Sequence, residues 1–355
     1  MRFVVGMVLI WSSSALAQVA DAPTLVSYLS IFSTQIAHRP LKASEIAQIN
    51  SQGTNAFPAI VRSWFAEPQF LESAQMFMEN LIRTNGVTDT VDMNIPGYLA
   101  RDIARRERPY TDFVTASTCV NAAGQNMACD SNAPFSAGVL TTKAFLVTKA
   151  GPYNISRAGK MISKFLCTTY PLGDSEEPKI AQSALIDQFA TTSGKITFGN
   201  GNNCYSCHSQ FGHHAQFFVR FDLNGNYQVG ATGIQNPAAT DGFSTNGLMT
   251  SHYRDPARAA DQSSQILGKP AANLGEAGRL LAQSSRFLPC AVKNLMFHYM
   301  RLPQDTLDSI KPDLYIQIAN QAKAVNPDPS LSHLLSAIIL NQNVLDSFKK
   351  SGALP

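Results

Sequence analysis

The chain has 355 residues, with 28 Lys and Arg against 25 Asp and Glu, for a formal net charge of +3. That balance, with no basic block beyond the mixed-sign stretch RDIARRERP, excludes a nucleic-acid binder; those arginines read as a solvated helix face. The length suffices for one to three domains with a sizeable core.

The opening residues 1–17, MRFVVGMVLIWSSSALA, place one basic residue before an apolar run and end on Ala15-Leu16-Ala17. This is the layout of a signal peptide cleaved before Gln18. The apolar run is shorter than the roughly 20 residues a membrane span needs, and no later stretch supplies one. An exported protein is expected, in the periplasm or at the cell surface of a bacterium, with no transmembrane segment after signal cleavage. Apolar residues at helical spacing predict helices over 24–38, 57–84 and 97–108. Residues 110–150 alternate, are β-branched and are interrupted by Cys119 and Cys129, so short strands or irregular structure are expected there. The stretch PLGDSEEP (171–178) reads as a linker, as does the Gly/Asn-rich approach to Cys204. Over 286–301, Leu288, Ala291, Val292, Leu295, Met296 and Tyr299 form one helical stripe. Near the end, Asp328 offers an N-cap with Pro329 at the first helical position. Leu331, Leu334, Leu335, Ile338 and Leu345 then make an apolar face, and Ser351-Gly352 ends the helix.

The segment Asp222-Leu223-Asn224-Gly225-Asn226 suggests a calcium loop, but Tyr227 stands where the loop needs glycine and Gly233 where it needs glutamate. A turn is the better account.

The sharpest motif is Cys204-Tyr205-Ser206-Cys207-His208. The spacing C-x-x-C-H lets two thiols form thioethers to one haem while the next residue ligates the iron. A thioredoxin-like pair would need a preceding strand, and GNGNN is not one. A zinc clip would need further ligands at clip spacing, and a plain disulfide needs no histidine. One covalent haem c is therefore expected, held by Cys204 and Cys207, with His208 as proximal iron ligand. Of the other four cysteines, Cys119–Cys129 and Cys167–Cys290 are the favoured pairs, with buried thiols as the alternative for the second.

The sixth ligand is assigned to Met249, in the loop NGLMTSHYR. His252, another Met or His, or an open site are the alternatives. His213 and His214 follow His208 too closely to reach the opposite face, and a surface or propionate-side position is expected for them. Met296 and Met300 read as core methionines and His298 as a core or surface histidine.

At these motifs the chain resembles a known family: exported haem proteins, abundant in planctomycetes, built from the domains DUF1592, DUF1588 and DUF1585. The motif at 204–208 followed by FFVRFDLNGNYQ (217–228) is similar to that family's haem segment, with Phe221-Asp222 and Gly225 matching. SSRFLPCAVKNLMFHYMRLP (284–303) is similar to a second segment, with Arg286-Phe287, Cys290 and Pro303 in register. ISRAGKMISKFLCTTYP and HRPLKASEIAQI resemble segments further upstream. The resemblance spans most of the mature chain, most clearly from about residue 155, and implies an exported haem-binding protein without implying its reaction.

The expected fold is mainly α: a helical N-terminal domain over 18–190 and an α-helical, cytochrome c-like haem domain over 191–355, with a few short strands around 110–150. Electron transfer with a redox partner protein is the expected function. Two alternatives stay open. One is a haem enzyme with an open distal site acting on peroxide, oxygen or an organic substrate, with Arg220, His252 and Arg254 as nearby polar groups. The other is a haem-bearing surface or scaffold protein.

Overall fold

The computed structural model describes residues 21–148, 150–190, 204–229, 251–301 and 310–350. The signal-peptide assignment, Met249, Gly233, Pro303 and the Ser351-Gly352 helix stop lie outside them.

The described residues are mainly helical. Helix α1 (Ala22–Ile36) starts where the Asp21 side chain accepts from the Thr24 amide. After α2 (Ala43–Gln52), the helix expected over 57–84 is two, α3 (Phe57–Phe65) and α4 (Pro68–Ile82). Pro68 explains the break, because it lacks the amide that a continuous helix would use there. Helix α5 (Ile95–Arg105) packs closely along α4. The arginines at the end of α5 and just beyond it do not form a simple solvated face. Arg105, Arg106 and Arg108 all reach the buried Asp102 carboxylate, at 2.5, 2.9 and 3.4 Å.

The region 110–150 is short pieces, as expected. Helix α6 (Asp112–Thr115) leads into the hairpin β1 (Cys119–Val120) and β2 (Asn126–Met127), and α7 (Lys143–Val147) follows. Cys119 and Cys129 are bridged across the hairpin mouth. Helix α8 (Ile155–Phe165) precedes the second bridge, Cys167–Cys290. Both pairings agree with the sequence expectation.

Beyond α8 come α9 (Asp187–Ala190), α10 (Tyr205–Gln216), α11 (Pro256–Ala260), the hairpin β3 (Ser264–Ile266) and β4 (Lys269–Ala271), α12 (Leu274–Ala282) and α13 (Phe287–Met300). The chain closes with α14 (Pro312–Val325), α15 (Leu331–Ile339) and α16 (Gln342–Lys350). The expected cap of α15 is displaced by two residues. Ser330, not Asp328, accepts from the His333 amide, while the Pro329 carbonyl is taken by the Tyr110 amide.

Helix α13 is the axis of the core. It packs against α1, α4, α8, α12, α14 and α15, and every residue of its expected stripe is buried. Burial on several sides follows from an apolar stripe wider than one face. Met296 and Met300 are core residues, as expected, and His298 lies edge-on to Phe77. The main apolar cluster takes side chains from Leu25 to Phe348, from both sides of residue 190. No helix among the described residues is long and apolar enough to cross a membrane.

Candidate haem site

Helix α10 begins where the cysteine motif does. The His208 amide donates to the Cys204 carbonyl at 3.0 Å, closing a first turn over Cys204, Tyr205, Ser206 and Cys207. Positions i, i+3 and i+4 of a helix share a face. The two thiols and the imidazole therefore leave α10 on one side. All five residues from Cys204 to His208 are half-buried.

Around this face lies a small apolar cluster separate from the main core. Tyr153, Ile180, Leu185, Ile186, Phe189 and Tyr253 form it, with Cys204 and Tyr205 packed against it. The Phe189 ring stacks on His208 with centroids 4.0 Å apart and planes 4° from parallel. Burial lowers the pKa of His208 to about 4, so the imidazole is neutral at pH 7.

Met249, the expected sixth ligand, lies outside the described residues, but His252 does not. Its Nε2 stands 3.1 Å from His208 Nδ1, within hydrogen-bond reach. The side chain is fully buried, and burial, then the positive charges that His208 and His213 would carry, hold its pKa well below the ordinary histidine value. Gly212 on α10 makes room for it: a Cβ there would lie 2.6 Å from Ile180 Cδ1 and 3.1 Å from His252 Cβ. The backbone of 251–254 is strapped down on the other side. The Ile186 amide donates to the His252 carbonyl and the Arg254 amide to the Ala184 carbonyl, each at 2.9 Å. Arg254 itself turns outward to Asp187.

The opposite face of α10 corrects two expectations. His213 and His214 are buried rather than at the surface. His213 Nε2 donates to the Pro178 carbonyl at 3.0 Å, and its Nδ1 accepts from the Tyr253 hydroxyl at 3.1 Å. His214 Nε2 donates to the Glu177 carboxylate at 2.9 Å, and its Nδ1 meets the Tyr170 hydroxyl. Glu177 also accepts from Gln265 at 2.7 Å and from the Leu267 amide at 2.5 Å. Gln210 clamps both the amide and the carbonyl of Leu172 and reaches the Glu177 carbonyl. The stretch 171–178 is thus a strap bonded to α10, not a loose linker. Its Gly, Asp and Glu content signalled solvent exposure, whereas one of those acids is wholly buried.

Comparison with family models, curated proteins and solved structures finds no match for this chain. The family resemblance rests on its motifs alone. Two of those motifs meet in space. Arg157, from ISRAGKMISKF, is buried and donates to the carbonyls of Phe221 and Asp222 at 3.0 and 2.6 Å. The Asp222–Asn226 stretch is the expected turn, with Asp222 Oδ1 accepting from the amides of Asn224 and Asn226. Gly225 has a φ of +73°, and its contact with Leu146 and Lys143 leaves little room for a side chain.

A C-x-x-C-H motif serves more than one chemistry, and each asks for its own set of donors. Among the described residues, no three His, Cys, Asp or Glu side chains converge as metal ligands, whereas a closed zinc site uses four. Haem attachment asks for a different arrangement: two thiols and one imidazole from the same side, with an apolar surround. Residues 204–208 fit it.

Proposed function

We infer that this chain is an exported monohaem c-type cytochrome whose function is electron transfer. The supporting observation is the shared helical face of the half-buried Cys204, Cys207 and His208, with Cys204 packed against the Tyr153–Phe189–Tyr253 cluster and His208 stacked on Phe189. In this reading Cys204 and Cys207 hold one covalent haem c and His208 binds its iron, with Met249 as the proposed ligand on the far side. The haem supplies a one-electron centre. The protein's part is to keep His208 neutral, to stack Phe189 on its ring and to limit water around it. The four bridged cysteines suit an oxidising compartment, which supports export to the periplasm or cell surface. Its partner would be a redox protein that meets an exposed haem edge.

The test is haem staining of the exported protein after denaturing electrophoresis. The parent is expected to stain and the Cys204→Ala/Cys207→Ala double variant to lose the stain; an equally stained double variant would overturn the proposal. Carbon monoxide then separates electron transfer from catalysis. A low-spin ferrous form that ignores carbon monoxide supports an electron carrier. Immediate uptake would mean an open distal site and move the function to an enzyme acting on peroxide, oxygen or an organic substrate.

A further inference from the structure

We propose that His252 is a positioning residue for the proximal imidazole: it accepts the Nδ1 proton of His208, and it is not the sixth ligand of the iron. The inference rests on His208 holding haem, as proposed above.

The geometry carries it in two steps. An imidazole presents Nδ1 and Nε2 on different edges, and their lone-pair directions diverge. The His208 atom facing His252 is Nδ1, at 3.1 Å from His252 Nε2. If iron is bound through Nε2, His252 stands behind the proximal ring, on the side away from the metal. A ligand on the far side of a porphyrin would have to come from the opposite direction.

His252 is also not free to travel there. Its carbonyl is bonded to the Ile186 amide, the next residue bridges to Leu185, and its Cβ fills the space left open by Gly212. Ser251 just before it donates to the Gln216 side chain at 2.6 Å, tying the same segment to the end of α10. The ring is fully buried beneath Phe189, with centroids 4.5 Å apart.

The pair also sets a tautomer. Two neutral imidazoles joined by one hydrogen bond share a single bridging proton. If His252 donates it, His208 carries its own proton on Nε2 and has no lone pair there for a metal. If His208 donates it, Nε2 is available, and His252 carries its proton on Nδ1. That Nδ1 is buried and has no hydrogen-bond partner among the described residues. That cost notwithstanding, iron ligation selects His208 as the donor, because only this tautomer leaves a lone pair on Nε2. A good acceptor at Nδ1–H pushes electron density onto the ligating imidazole, which favours ferric over ferrous iron. His252 thus acts on the potential through His208.

Redox titration of the purified haem protein, with parallel absorption spectra, tests this on His252→Leu and His252→Gln. Both variants are expected to keep covalent haem and the parent's ligation spectrum. His252→Leu, with no acceptor, should raise the midpoint potential. His252→Gln, whose amide oxygen can still accept from Nδ1, should raise it less. An unchanged potential in both would overturn the proposal. So would a change from low-spin to high-spin iron with new carbon monoxide binding, which would make His252 the sixth ligand. Should His252→Leu fail to accumulate, His252→Phe, which also lacks an acceptor and keeps a ring beneath Phe189, decides in its place: a raised potential with the parent's spectrum supports the role, and an identical potential ends it. Failure of the haem reading itself looks different, since the parent would then carry no stainable haem.

Discussion

The Glu177 carboxylate accepts from His214 Nε2 at 2.9 Å, and neither side chain is exposed to solvent. Burial works against the charge on Glu177, but the bonds from His214 and Gln265 outweigh it and hold the carboxyl below its ordinary pKa. A depressed carboxylate pKa adds stability above its unfolded value, about 4.3, and that contribution is lost as pH falls through the folded one. Glu177→Leu leaves the donors of His214, Gln265 and Leu267 without an acceptor. Destabilisation of about 3–5 kcal/mol is expected, read as a shifted urea midpoint. A midpoint equal to the parent's would show that the strap is not held by this pair.

His213 makes a separate prediction about pH. It is buried between Pro178 and Tyr253, and burial lowers its pKa to about 4, against about 6.5 when unfolded. The unfolded chain then binds the extra proton first, so stability falls as pH drops from about 6.5 toward 4. The loss from this one group reaches about 3 kcal/mol at the lower end. His213→Gln removes the titration, and its stability should fall less steeply than the parent's over that window. Parallel curves for the two proteins would contradict the assignment.

The two disulfides differ in the chain they close. Cys119 and Cys129 are 10 residues apart, Cys167 and Cys290 are 123 apart. Loop-closure entropy assigns about 3 kcal/mol to the short loop and about 5 kcal/mol to the long one. Cys167→Ala/Cys290→Ala should therefore lower the thermal midpoint more than Cys119→Ala/Cys129→Ala, with haem staining kept in both. The reverse order would show that strain or residual unfolded structure dominates the entropy.

Much of the fold was legible because its signals are local. The stripe from Leu288 to Tyr299 announced α13, whereas the helix expected over 57–84 passed over Pro68, where α3 and α4 divide. The cysteine pairs were also readable, since oxidation and spacing leave few partners. The candidate site was legible as five residues and no more. His208 could be named from C-x-x-C-H, but its partner His252 lies 44 positions away, and no periodicity links the two. The linker expected over 171–178 and the surface position expected for His214 failed for a physical reason. A charged residue in a Pro/Gly-rich stretch is ordinarily solvated, and only the tertiary packing of β3 and β4 beside α10 gives Glu177 its donors. Asp102 is a similar case: the three arginines near it have the pattern of a solvated run, and only tertiary packing buries the carboxylate they share.

Helix α10 carries His208 on one side and His214 on another, six residues on, a turn and two-thirds around the axis. With about 100° of rotation per residue, a slip of one position in how 171–178 grips the helix would swing the cysteine face by more than a quarter-turn. The clamp formed by Gln210, His213 and His214 therefore fixes the angular phase at which Cys204, Cys207 and His208 emerge. The direction in which a cofactor would face is set from behind, by residues that never touch it.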